Sequence, residues 1–109
     1  MRLVILESPF RAATPEETAA NVRYAQRCML DSLRRGEAPI ASHLLYPQIL
    51  DDADPEERAL GIEAGLAWGP AAEATVVYTD RGISEGVEIG IARAWKEGRT
   101  VAYRRLGVG

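Results

Sequence analysis

Ala74-Thr75-Val76-Val77-Tyr78-Thr79-Asp80-Arg81-Gly82-Ile83-Ser84 is the stretch on which the reading of the fold turns. Residues 74–78 form a β-branched, nearly continuous apolar run, the pattern of a strand buried on both faces. Such a strand belongs at the centre of a parallel sheet. Thr79 to Gly82 turn the chain, and Ser84 can cap a helix whose inward stripe is Val87, Ile91, Ala94 and Trp95, with Gly98 as its stop.

The same grammar extends in both directions. Downstream, Thr100 to Tyr103 read as a last strand, and Gly107-Val108-Gly109 as a frayed tail beyond a single domain spanning 1–106. Upstream, Asp54-Pro55-Glu56-Glu57 opens a helix with Asp as N-cap and Pro at the first helical position. Its stripe is Leu60, Ala64, Ala67 and Trp68. Gly61, Gly65 and Gly69 recur at every fourth position, and glycine inside a helix costs about 1 kcal/mol against alanine. Something therefore packs close to that backbone, either the helix's own sheet or a second subunit. Ala38 to Ala41 make a brief strand. Thr14-Pro15-Glu16-Glu17 repeats the helix start as a capping box, with Val22, Ala25, Met29 and Leu33 inward and Gly36 at the end. Arg2 to Leu6 form the first strand.

Strands alternating with helices specify an α/β domain: a three-layer, open, mainly parallel, Rossmann-like sheet of roughly four to five strands with helices on both faces. Ligands of such sheets sit beyond the strands' C-terminal ends, where strand order reverses. Three loops are thereby singled out: Glu7 to Arg11, Ser42 to Tyr46, and Thr79 to Glu88.

Composition narrows the partners. A net charge of −3 and a pI near 5.2 argue against a protein that tracks the phosphates of nucleic acid. No run approaches a bilayer span and no signal segment opens the chain, so the expectation is a cytoplasmic protein of a bacterium or a phage-infected cell. The lone Cys28 reads as a reduced packing residue. No second His or Cys stands at ligand spacing from His43, so neither a metal nor any other cofactor is expected.

The loops carry polar groups suited to a small ligand. Ser84-Glu85-Gly86 offers a hydroxyl, free backbone N–H groups and the positive end of a helix dipole, a cradle for phosphate or a sugar oxygen if it is more than an N-cap. Ser8, Pro9, Phe10 and Arg11 supply a hydroxyl, a ring that can stack on a base, and a guanidinium able to fork onto phosphate. His43 is either a hydrogen-bonded structural residue or a ligand contact, and Tyr46 beside it can lie against a ring. Asp80 and Gly82 follow the central strand at the same end. The acidic stretch from Asp51 to Glu57 is either solvated capping sequence or a lid.

Several of these pieces, Leu6-Glu7-Ser8-Pro9-Phe10-Arg11, Asn21-Val22-Arg23-Tyr24-Ala25, Ala41 to Tyr46, Asp51 to Arg58 with Gly61-Ile62, and Gly82 to Gly86, resemble the nucleoside 2-deoxyribosyltransferase-like superfamily. The closer likeness is to its small, often phage-borne members of the DUF4406 and DUF7768 type. The resemblance implies that the first and third loops hold a sugar and any 5′-phosphate, and that a glutamate on the third helix attacks the anomeric carbon. That position is here Gly90, which has no side chain. Glu88 is close in sequence, but a shift from 90 to 88 turns a side chain by about 200° around a helix.

The expectation is therefore a nucleoside- or nucleotide-binding protein without the usual nucleophile. It could sequester a nucleotide signal in an anti-defence role, as a homodimer or higher homo-oligomer. Two alternatives stand beside it: an N-glycosidase or deoxyribosyltransferase working through Glu88 or Asp80, and a structural or partner-binding protein.

Overall fold

Every residue of Ala74–Tyr78 is buried, and the rest of the fold is arranged to make that so. The structure, a computed structural model, describes residues 1–107; Val108 and Gly109 of the expected tail lie outside the described residues. In chain order the elements are β1 (Arg2–Glu7), α1 (Pro15–Arg34), β2 (Glu37–Ile40), α2 (Pro55–Ala67), β3 (Ala74–Tyr78), α3 (Glu85–Lys96) and β4 (Thr100–Arg104). Short 3-10 turns occupy Ser42–Leu44, Tyr46–Gln48 and Gly69–Ala71. The four strands form one sheet in the order β2-β1-β3-β4, every pair parallel. This is the α/β sheet with helices on both faces that the alternation implies.

Neighbouring residues of a strand point to opposite faces, and β3 shows this directly. Val76 and Tyr78 join Val4 and Leu6 against Tyr24 and Cys28 of α1. Val77 instead packs with Val87 and Ile91 of α3. The two helices thus cover opposite faces. Thr14 caps α1 by accepting from the Glu17 N–H at 3.1 Å, and Ser84 caps α3 by accepting from the Val87 N–H at 3.3 Å. Gly36 and Gly98 leave the helices at φ 82° and 71°, the left-handed region that a side chain resists.

The helical stripes need correction. α1 turns Asn21, Tyr24, Ala25, Cys28 and Ser32 inward, while Leu33 is exposed and Val22 and Met29 are only partly covered. The inward polar groups have work there: Tyr24 Oη donates to Asp80 at 2.6 Å, and Ser32 Oγ donates to Glu37 at 2.7 Å. On α3, Val87, Ile91 and Ala94 are buried as expected, but Trp95 is 66% exposed. On α2, Leu60 and Trp68 are exposed and no residue is buried. The glycine row meets the protein's own chain. A Cβ at Gly61 would touch Tyr46 and Leu50, one at Gly65 would strike Ser42 Oγ, and one at Gly69 would collide with Arg99 and Glu97. Packing within one subunit accounts for Gly65 and Gly69, and a side chain at Gly61 would make ordinary contact, so the row gives a second subunit no separate support.

A buried ion pair ties the edge strands together across the α1 face. Arg104 of β4 donates to both carboxylate oxygens of Glu37 in β2, at 2.7 and 2.6 Å. That bond, with help from Ser32, holds the Glu37 carboxyl down to about 2. A carboxyl depressed on folding stabilises the native state above its ordinary value of 4.5, and the contribution is lost as pH falls toward 2. Glu37→Ala leaves the Arg104 charge uncompensated and is expected to cost about 3–5 kcal/mol at neutral pH. Urea denaturation measures the loss, and the variant's stability should fall less steeply than the wild type's between about pH 4.5 and about pH 2.

Candidate functional site

β1 lies between β2 and β3, so the chain leaves β1 toward one neighbour and returns through β3 on the other side. The loops after β1 and β3 consequently diverge, and a crevice opens at the strands' C-terminal ends. A cavity of about 410 Å³ occupies it, within the range of small-molecule sites. Its walls come from the end of β1, the segment after β2, the inner side of α2 and the first turns of α3. α2 buries no residue because Gly61, Ile62, Gly65 and Leu66 front this hollow.

Of the residues singled out from sequence, Ser8, Phe10, Arg11, His43, Tyr46, Ser84, Glu85 and Gly86 line the cavity. Pro9, Asp80, Gly82 and Glu88 are not among its lining residues. Pro9 is buried. Gly82, at φ 85°, makes the turn before α3. Glu88 is exposed on α3. Asp80 is a fastener: its carboxylate accepts from Tyr24 Oη at 2.6 Å and from the Leu106 N–H at 2.9 Å, pinning the segment after β4. Despite partial desolvation, these bonds hold its carboxyl below the usual range. Both candidate catalytic residues therefore stand away from the hollow.

The sequence reading did not single out Glu7, which also lines the cavity. Glu7, the last residue of β1, turns its carboxyl toward α3, and a Cβ built on Gly90 would run into Glu7 Oε2 and lie 3.1 Å from Oε1. The carboxyl fills the space a side chain at 90 would need. Among the described residues it has no hydrogen-bond or ion-pair partner. Burial raises it to about 8, against a weaker pull from Arg99, which is itself held by Glu97 at 2.6 Å and Thr75 at 2.9 Å. Glu7 is thus a neutral acid at pH 7. The available signal was a carboxylate closing an apolar strand in a loop already marked for inspection.

Ser8 and His43, 35 positions apart, meet at the cavity wall with Ser8 Oγ 2.7 Å from His43 Nε2. Burial alone lowers His43 to about 4, so the ring is neutral at pH 7. A hydroxyl hydrogen-bonded to a neutral imidazole is the start of a nucleophile-and-base arrangement. The third group that would orient the ring is missing: no acidic side chain hydrogen-bonds His43 among the described residues. Between about pH 4 and about pH 8 the cavity holds a neutral acid and a neutral base, their ordinary order reversed.

Charges at the mouth are mixed. Arg11 lies 3.8 Å from Asp52, and Arg58 and Glu57 enter from α2. Asp54 does cap α2, accepting from the Glu56 N–H at 3.0 Å. The acidic stretch therefore supplies a cap and part of the cavity wall at once. Among the described residues no group of three or more His, Cys, Asp or Glu is placed to hold a metal, and no helix is long and apolar enough to cross a membrane.

Residues 2–104 match the profile of a family described as a domain of unknown function, DUF7768. The chain belongs to the DUF7768 family. No curated protein matches it. In this DUF7768 domain the match covers all four strands and all three α-helices, and hence every wall of the cavity.

The pH dependence of stability tests the placement of Glu7. An acid raised on folding stays protonated while the unfolded chain ionises, so its contribution to stability falls as pH climbs from 4.5 to about 8. Glu7→Gln keeps the shape and removes that penalty. Thermal denaturation should show the variant melting several degrees above wild type at pH 8, with the gap closing at pH 4.

Proposed function

We propose that the strand-end cavity binds a nucleoside or nucleotide and that the protein works by holding it. One observation carries this reading: α2 has no buried residue and faces a hollow of about 410 Å³ instead of the sheet, so a ligand would supply the missing contacts. The lining is suited to the parts of a nucleotide. The α3 N-terminus, with Ser84, Glu85 and Gly86 on the wall, favours an anion. Arg11 and Arg58 can fork onto phosphate, and the rings of Phe10 and Tyr46 can stack on a base.

Binding is favoured over cleavage through Glu88 or Asp80, because neither lines the cavity and position 90 bears no side chain. A protein that holds a nucleotide intact is a sink for it. Sequestration of a nucleotide signal, as a phage would need against a host defence, fits that behaviour.

A thermal-shift screen over nucleosides and their 5′-monophosphates tests the reading, with at least one compound expected to raise the melting temperature. Calorimetry on the best monophosphate should show Arg11→Ala and Arg58→Ala each weakening it by about tenfold, with little change for the parent nucleoside. Chromatography should recover the compound unchanged. If no member of the series shifts the melting curve, the reading fails.

A further inference from the structure

We propose that Glu7 is the base-selecting residue of the cavity, and that the base it takes is an adenine-type ring, with an acceptor nitrogen beside an amino group, in preference to guanine. The inference rests on the reading of the cavity as a nucleotide site and adds the identity of the base.

The first support is placement. Glu7 lines the cavity beside Gly90, whose bare backbone gives its carboxyl room, and no protein group among the described residues satisfies it. The carboxyl is partly buried and open to the cavity, so its donor and acceptor are available to a ligand that enters. Gly90 lies one helical turn beyond Gly86, about 6 Å along the α3 axis. A phosphate at the first turn of α3 leaves Glu7 facing the uncharged part of the ligand. Ile5, Ile62, Leu66 and Val87 line the same cavity, and apolar walls suit a flat ring better than a sugar's hydroxyls.

The second support is the hydrogen-bonding pattern. A protonated carboxyl presents one O–H donor and one carbonyl acceptor side by side, as the glutamine amide does. Glutamine reads adenine by donating to N7 and accepting from the N6 amino group, whereas guanine shows two acceptors, N7 and O6, on that edge. A neutral Glu7 can satisfy both atoms of adenine and only one of guanine. Burial keeps it neutral up to about pH 8. Once ionised it has acceptors alone and opposes the ring nitrogen.

The charges around it lean negative. Arg11 and Asp52 come from the two flanking loops, Glu57 and Arg58 from α2, Glu85 from α3 and Arg99 from the start of β4, while His43 stays neutral above about pH 4. Among the lining residues Arg11 and Arg58 stand against Asp52, Glu57 and Glu85, so ionisation of Glu7 adds to a negative excess already present.

The experiment is calorimetric titration of AMP and GMP into wild type, Glu7→Gln and Glu7→Leu at about pH 6.5 and about pH 8.8. Wild type is expected to prefer AMP by about tenfold at the lower pH and to lose most of that preference at the higher. Glu7→Gln, which keeps the donor and cannot ionise, should hold the preference at both. Glu7→Leu should lose it at both. If AMP and GMP bind wild type equally, or if Glu7→Gln discriminates no better than Glu7→Leu, the base assignment is overturned while the nucleotide reading stands. If neither nucleotide binds any of the proteins, the base assignment is overturned, and the nucleotide reading falls with it only if the rest of the series also leaves the melting curve unmoved.

Discussion

Neither face of β3 tolerates water, and that single constraint organises the molecule. A strand with Val76 and Tyr78 on one side and Val77 on the other must be roofed twice, by α1 and by α3. A parallel sheet with helices on both faces can place consecutive strands on either side of the first, and here β2 lies on one side of β1 and β3 on the other. The crevice is the geometrical residue of that divergence. Nothing about the ligand is needed to explain why it exists.

What gives the crevice its character is an exclusion. Glu7 and a side chain at position 90 cannot share the same volume, and the protein resolves the conflict with glycine. The carboxyl thus arrives from a strand rather than from α3. A strand end fixed by ladder pairing to β3 holds a side chain more firmly than a loop would. With Arg99 committed to Glu97, the acid has no cation to ionise it, and with no carboxylate against its ring, His43 has nothing to charge it. Two titratable side chains on the cavity wall are thereby held in their uncharged forms near neutral pH.

The sequence made the scaffold legible and left its contacts hidden. The apolar run at 74–78, the Pro-Glu-Glu starts after Thr14 and Asp54, and the glycines at 36 and 98 mark strands, caps and stops through local chemistry alone. The inward face of α1 was misread because Asn21, Tyr24 and Ser32 are polar. Each is buried for a distant partner, as Ser32 is for Glu37 and Tyr24 for Asp80, and periodicity counts hydrophobicity, not partnerships. The stripe assigned to α2 failed for the opposite reason, since the helix borders an empty volume that no sequence pattern announces. Ser8 and His43 are joined only by the crossover through α1 and β2. Asp80 seemed well placed for a ligand by topology, yet Tyr24 and the Leu106 amide claim it. Glu7 shows the limit best: its neighbour in space is a residue without a side chain.

α2, which buries no residue fully, is held by its Asp54 cap, by the turn at Gly69–Ala71 and by the close approach of Gly61 and Gly65 to Tyr46, Leu50 and Ser42. Local openings cost least where few apolar contacts must separate, so backbone amide protons of α2 are expected to exchange faster than those of the wholly buried β3. The outer wall of the crevice is therefore the part of the fold with the fewest buried contacts to give up, and on the nucleotide reading a bound molecule would add to them.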